Sequence, residues 1–307
     1  MRRMRTPRRS EGGSFRRLLA LQRREIDREL RRHLPRSGEA PASILRAMRY
    51  SLFAGGKRVR GVLAREACRA VGGRDRRVFP ACCALEMIHT YSLIHDDLPA
   101  LDDDRWRRGK PTLHRVFGEA AAVLAGDALL TLALQILAEN PPGPREARRR
   151  TRVLSLVTRA VGVEGMIGGQ VRDLESEGKR IGPVELARIH RGKTGALLTA
   201  SAVAGGILGG GGRREIQALA RYGRAVGLAF QIVDDVLDEE GTRGRLGKSP
   251  GKDRALRKAT YPALWGLEKS RAMAERSAAA ARRALAPLGR RAAPLARLAD
   301  FIVSRDS

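Results

Sequence analysis

Apolar residues fall in runs of helical length, cut by glycine pairs and prolines, and no stretch alternates apolar and polar positions as a half-buried strand would. Helices are predicted from about Phe15 to Leu34, from Ala42 to Ala54 before Gly55-Gly56, and from Val59 to Val71 before Gly72-Gly73. Pro80 reads as the opening proline of a helix that runs through ACCALEMIHTYSLIHDDL until Pro99 breaks it. Further helices are predicted over about Glu119 to Ala138, Pro144 to Val161, Val163 to Glu177, Pro183 to Leu208, Arg213 to Asp238, Tyr261 to Ala286 and Ala293 to Ser304. Aromatic and β-branched residues are scarce beside Ala, Leu, Arg and Glu, which favours helix throughout. The expectation is an all-α bundle.

A chain of 307 residues with 43% hydrophobic content can bury one large core, and neither a linker nor a fixed-period repeat divides it. One catalytic-sized domain over 15–307 is expected, preceded by an Arg-rich arm over 1–14 that lacks an apolar signal core and reads as disordered. The three cysteines, Cys68, Cys82 and Cys83, have no metal spacing and fit buried thiols in the cytoplasm. Two uncharged or nearly uncharged stretches, Ala120 to Ala138 and Thr194 to Gly212, read as core or subunit-interface helices rather than membrane spans.

The net charge of +27 would suit a nucleic acid or an anionic surface, but 52 of the 60 basic residues are Arg scattered over every segment, as a composition bias produces. No basic recognition helix or aromatic-interleaved patch supports nucleic-acid binding. The eight lysines are more informative, because Lys supplies a compact charge that Arg does not. Six of them (Lys57, Lys110, Lys193, Lys248, Lys252, Lys258) lie in or beside the motifs below.

The segment from His95 to Asp104 carries Asp96, Asp97, Asp102, Asp103 and Asp104. Two like charges about 4 Å apart repel by roughly 4 kcal/mol at an effective dielectric near 20, so the cluster needs water or cations. A solvated acidic loop would meet that need. The cluster, however, ends a helix with Leu85, Ile88, Leu93 and Ile94, so its base should be buried and its tip should face a cavity. All-oxygen ligands without cysteine point to a hard cation, with Mg²⁺ shared between carboxylates and phosphates the leading case. Pro99 supplies the break that can return Asp102 toward Asp96. In the second cluster Gln231, Asp234 and Asp238 share one helix face, with Asp235 between them. Two such clusters, each closing an apolar helix, can hold a diphosphate through bridging Mg²⁺. Gly55-Gly56-Lys57-Arg58-Val59-Arg60 places cations and backbone amides where an anion could bind. Arg107-Arg108, Lys193-Thr194, Lys248, Lys252 and Lys258 add further cations beside the acidic motifs. Alternating acidic and basic motifs suit one metal-bound diphosphate and one held by cations alone.

Taken in order, GGKRVR, HTYSLIHDDLPALDDDRWRRGKPT, AGDALL, GGQVRDLESEGK, HRGKTGAL, GLAFQIVDDVLD and LGKSPGKDRALRKATYPAL resemble the trans-isoprenyl diphosphate synthases, specifically the bacterial farnesyl diphosphate synthase type, from about Leu30 onward. The resemblance implies the isoprenoid synthase fold around a central cavity, a homodimer, and head-to-tail condensation of isopentenyl diphosphate with dimethylallyl or geranyl diphosphate. By motif, Asp96, Asp102 and Asp234 resemble ligands of three Mg²⁺, assisted by Asp97, Asp235 and Asp238. Arg107, Lys193, Lys248 and Lys258 resemble the cations on the allylic diphosphate. Gly56, Lys57, Arg60, His89 and Arg108 resemble the isopentenyl diphosphate pocket. Gln231 and Thr194 would support the allylic carbocation. Trp106 departs from the aliphatic residue expected there, and the tail has no assigned counterpart. Tyr91 and Ser92, about 7.5 and 6 Å below Asp96 by helical rise, sit where bulk would limit product length. Tyr91 resembles the aromatic floor of synthases that stop at farnesyl diphosphate, and it alone separates that reading from a geranylgeranyl diphosphate synthase. A terpene cyclase would not need Lys57, Arg60 and His89, and a noncatalytic partner subunit would have lost one acidic cluster.

Overall fold

The computed structural model describes residues 9–241 and 259–305, and it is almost wholly helical. The first helix, α1 (Arg9–His33), starts ahead of the expected Phe15, so the end of the supposed arm is helical; residues 1–8 lie outside the described residues. Then follow α2 (Ala42–Leu52), α3 (Val59–Ala70) and α4 (Asp75–Asp96). Pro80 does not open α4. It lies inside the helix, and the helix begins instead at Asp75, whose carboxylate binds the buried Arg65 at 2.7 Å and Arg69 at 2.6 Å and so anchors the first turn.

A minimal hairpin, β1 (Trp106–Arg107) with β2 (Lys110–Pro111), follows the first acidic cluster and was not expected from the sequence. The chain continues through α5 (Leu113–Phe117), α6 (Glu119–Glu139), α7 (Ala147–Val161), α8 (Met166–Glu175) and α9 (Pro183–His190). A five-residue π turn, Arg191–Gly195, separates α9 from α10 (Ala196–Gly209), so the single helix expected over this stretch is interrupted. The last elements are α11 (Arg213–Glu240), α12 (Tyr261–Trp265), α13 (Leu267–Ala284) and α14 (Ala293–Val303). Gly266, at φ 78°, breaks the helix expected to run unbroken from Tyr261.

Packing follows from composition. α4 is buried along most of its length, with Leu85, Met87 and Ile88 fully buried, and it runs through the centre against α3, α6 and α10. α10 is buried along nearly its whole length and uses small residues to approach its neighbours. A Cβ on Gly205 would stand 2.0 Å from the Ala64 carbonyl oxygen of α3. Gly205→Val is therefore expected to cost at least about 3 kcal/mol of overpacking, read as a clear fall in Tm; an unchanged Tm would refute the close crossing. α6 is long and apolar enough to cross a membrane by length and composition, yet it packs along α4, α2, α5 and α7, and 39% of its most apolar window is buried. The three cysteines are buried and free.

Candidate active site

The first acidic cluster folds back as Pro99 requires. The Asp102 N–H donates to the Asp96 carbonyl at 2.9 Å, and the Asp104 N–H donates to that of Asp97 at 3.2 Å. Asp103 takes a left-handed φ of 45° to make the turn. Arg107 closes the loop: its guanidinium donates to Asp97 through Nε at 2.9 Å and to Asp104 at 2.8 Å, so this cation also holds the acidic loop in shape. Burial pushes the carboxyls of Asp96 and Asp97 up to about 6. For Asp96, Lys193 and Arg107 oppose that rise while Asp102 and Asp97 add to it. A carboxylate raised by burial and by like charges gains from a nearby cation.

Close helix crossings build a second wall. A Cβ on Gly227 would lie 2.9 Å from Gly195 Cα, and one on Gly223 would lie 2.7 Å from Thr199 Cα, so α11 meets the start of α10 backbone to backbone. Gln231, one turn beyond Gly227, thereby reaches the π turn, where Thr194 donates its hydroxyl proton to Gln231 Oε1 at 2.8 Å. Gln231 in turn donates to Asp235 at 2.9 Å, and Asp235 also accepts the Tyr261 N–H at 3.0 Å. On the other side, α8 presses on the same turn: a Cβ on Gly169 would stand 2.1 Å from the Lys193 nitrogen. Lys193 Nζ is 2.7 Å from Asp173 of α8. π turns recur at functional sites, and this one displays Lys193 and Thr194 side by side.

The glycine pair forms a third wall. Gly56, at φ 116°, has no room for a side chain, since a Cβ would come within 2.7 Å of the Arg108 guanidinium. Arg108 donates to the Gly55 carbonyl. Burial lowers Lys57, with Arg305 and Arg16 adding to the effect and Asp234 opposing it. It brings both Arg60 and Arg108 down to about 10. Burial, with Arg60, Arg108, Arg58 and Arg107 adding to it, lowers His89 well below its usual range. Asp234 is within electrostatic reach of both Lys57 and Arg60, which ties this wall to the second acidic cluster.

Tyr91 is buried, its ring edge-on to His95 with centroids 5.5 Å apart. Burial raises its hydroxyl to about 12. Ser92 donates back to the His89 carbonyl at 3.0 Å. His95 reaches α6, its Nε2 3.1 Å from the Val123 carbonyl, and fits there because residue 126 is glycine, whose Cβ would fall 2.1 Å from that nitrogen. Lys248, Lys252 and Lys258 lie outside the described residues.

A family model described as polyprenyl synthetase matches residues 41–286, from α2 to the end of α13, and so spans all three walls. The chain belongs to the polyprenyl synthetase family. It is 53% identical over 239 residues to a heterodimeric geranylgeranyl pyrophosphate synthase large subunit of Arabidopsis thaliana, covering 76% of this chain and 64% of that protein. The chain thus spans under two thirds of that plant relative's length. It is 48% identical over 246 residues to a farnesyl diphosphate synthase of Geobacillus stearothermophilus, covering 80% of this chain and 82% of the relative. A geranylgeranyl pyrophosphate synthetase from Pyrococcus horikoshii superposes with a TM-score of 0.86 at 33% identity, covering 96% of this chain and all of that one.

The candidate site contains residues that the sequence alone did not single out. Arg305, in the tail without an assigned counterpart, donates to Asp234 and to the Phe230 carbonyl at 3.0 Å, and its guanidinium stacks 4.0 Å over the Phe230 ring. Asp173 lies in GGQVRDLESEGK, where the resemblance gives it no role. Its position three residues after Gln170 in GGQVRD was the only signal.

Proposed function

We propose that the protein is a trans-prenyltransferase that condenses isopentenyl diphosphate head-to-tail with dimethylallyl or geranyl diphosphate and releases mainly farnesyl diphosphate. The observation that carries this reading is that each acidic cluster stands within electrostatic reach of its own cation set, Asp96 of Lys193 and Asp234 of Lys57 and Arg60.

Among the described residues no three His, Cys, Asp or Glu side chains are gathered to hold a metal by themselves. The donor set still fits Mg²⁺, a hard ion commonly held by one or two carboxylates together with substrate phosphates. Asp96, Asp102 and Asp234 would hold it, three ions by family resemblance, and its charge would neutralise the departing diphosphate. Lys193, with Arg107 and the undescribed Lys248 and Lys258, holds the allylic diphosphate. As the allylic C–O bond breaks, the Thr194 hydroxyl and the Gln231 carboxamide present their oxygen dipoles to the carbocation. Lys57, Arg60, His89, Arg108 and the backbone at Gly56 orient isopentenyl diphosphate so that its double bond attacks the cation, and the proton then lost passes to the released diphosphate. No protein nucleophile is needed. Asp97 and Asp235 already hold Arg107 and Gln231, and Asp238 completes the second cluster.

A second copy of the chain is the proposed partner, since Val123 and Leu124 expose an apolar face of α6, at 40% and 60% exposure. The buried free thiols suit a reducing cytoplasm.

Tyr91 supports the fifteen-carbon product. Relatives named for geranylgeranyl products favour a second reading, in which the wild type makes the twenty-carbon chain. Chromatography of dephosphorylated products, from isopentenyl diphosphate with each allylic primer and Mg²⁺, decides between them. Tyr91→Ala is expected to add at least one five-carbon unit while keeping much of the rate, and Ser92→Phe to shorten the product. A wild type that already makes twenty carbons, or a Tyr91→Ala distribution like wild type, would refute the tyrosine floor. Absence of any condensation product would refute the function.

A further inference from the structure

Glu86 lies on α4 one turn before His89, is only 1% exposed, and has no part in the chemistry described above. A carboxylate buried so fully is costly unless it is paired and hydrogen-bonded. Its Oε1 accepts the Gly61 backbone N–H at 2.9 Å, in the first turn of α3, where the helix leaves Lys57 and Arg60. Its other oxygen faces Arg58 Nη1 at 3.8 Å.

The surroundings are strongly cationic. Arg58 and Arg60 are buried and Arg108 is half-buried, yet Arg60 and Arg108 form no ion pair with a carboxylate among the described residues. Glu86 is the largest opposing influence on the lowered affinity of Arg60 and Arg108 for their protons. Two of the buried nitrogens, Arg58 Nη1 and Arg60 Nε, make no hydrogen bond. Arg108 opposes the charge of Arg60, and Arg58 that of Arg108, as like charges do in a medium of intermediate dielectric. Something must hold them in place before a substrate anion arrives. Arg58 even adopts a left-handed φ of 52° to join the cluster, with its Nε on Asp27 at 2.7 Å and its Nη2 on the Leu52 carbonyl at 2.5 Å.

We propose that Glu86 is the positioning residue of the isopentenyl diphosphate pocket: it fixes the first turn of α3 through Gly61 and supplies the counter-charge that keeps Arg58, Arg60 and Arg108 converged while no diphosphate is bound. The inference rests on the reading of Lys57, Arg60, His89 and Arg108 as that pocket. Its two components separate by substitution. Glu86→Gln keeps an oxygen acceptor for Gly61 and loses the charge; Glu86→Ala loses both.

The test compares Michaelis constants for both substrates and thermal melts in chelator with and without inorganic pyrophosphate. Glu86→Ala is expected to raise the isopentenyl diphosphate constant about tenfold or more, with the allylic constant within about twofold, whereas Glu86→Gln, which keeps an acceptor for Gly61 and removes the charge that opposes an incoming anion, should show a constant at or below that of wild type. In chelator Glu86→Gln should melt below wild type, and pyrophosphate should raise its Tm by more than it raises that of wild type, because the anion replaces the missing charge. Equal rises in both Michaelis constants, or a pyrophosphate shift in Glu86→Gln no larger than in wild type, would overturn the proposal. Should Glu86→Ala fail to fold, the near-isosteric Glu86→Gln melts decide alone. Arg60→Ala is the control for the underlying reading. If it leaves the isopentenyl diphosphate constant unchanged, the pocket assignment fails; if it raises that constant while Glu86→Ala stays like wild type, only the role of Glu86 fails.

Discussion

Asp96→Ala and Asp234→Ala each lower turnover by at least about a hundredfold, and the two variants differ in what they do to stability. Burial, with Asp102 and Asp97 adding to it, pushes Asp96 up to about 6, so the folded chain binds that proton more tightly than the unfolded one. Its stabilising share is present at low pH and is lost as pH rises through about 6. At neutral pH, removing the carboxylate relieves repulsion, and Asp96→Ala should melt at or above the wild-type temperature. Asp234 is different because it accepts from Arg305, and truncation leaves that buried guanidinium without its carboxylate. Asp234→Ala should therefore melt somewhat lower. Wild-type turnover in both variants would end the site assignment, and full turnover of the unmodified enzyme in excess chelator would end the metal reading.

The next largest effect is expected from Lys193→Ala, which should raise the Michaelis constant for the allylic substrate by about ten- to a hundredfold and that for isopentenyl diphosphate far less. Lys57→Ala should show the reverse. Lys193 projects from the π turn, held against Asp173 at 2.7 Å and backed by the glycine crossings of α8 and α11. Its ammonium is thus aimed in advance, and replacing it removes a charge-assisted contact without loosening the wall. Lys57 belongs to the glycine-pair wall instead, where burial and neighbouring cations already lower its hold on its proton. Steady-state kinetics with each substrate varied in turn separates the two. Identical effects of both substitutions on both substrates would show that one site has been divided wrongly.

The parts of this architecture that local pattern encodes were legible in the sequence. Glycine pairs mark the ends of α2 and α3, the i,i+4 spacing of Asp234 and Asp238 fixes their shared face, and Pro99 predicts the return of Asp102 that the 2.9 Å bond to Asp96 records. What escaped reading depends on partners distant along the chain. Arg305 meets Asp234 across 71 residues, Glu86 meets Gly61 across 25, and Asp173 meets Lys193 across 20. No periodicity announces such contacts. The π turn at Arg191–Gly195 was hidden for a related reason: its sequence is compatible with ordinary helix, and α8 and α11 crowd it through glycines that read locally as mere weakness in a helix. Pro80 misled because a proline in a helix looks like a beginning, whereas the ion pairs of Asp75 start that helix earlier.

The contact of His95 with Gly126 bears on how such a protein could diversify. The groups that handle charge on the proposed reading stand on the acidic loop that closes α4, on the π turn, on α11 and at the start of α3, whereas Tyr91 and Ser92 lie on α4 below that loop and His95 meets α6 at Gly126 and the Val123 carbonyl. On the proposed reading, lineages can lengthen or shorten their product by trading volume along α4 and α6 while every ionisable group stays where it was. Descent within such a family would then leave the chemistry of a chain plain in its motifs and its product nearly invisible in overall similarity, as the differently named relatives at 53% and 48% identity illustrate.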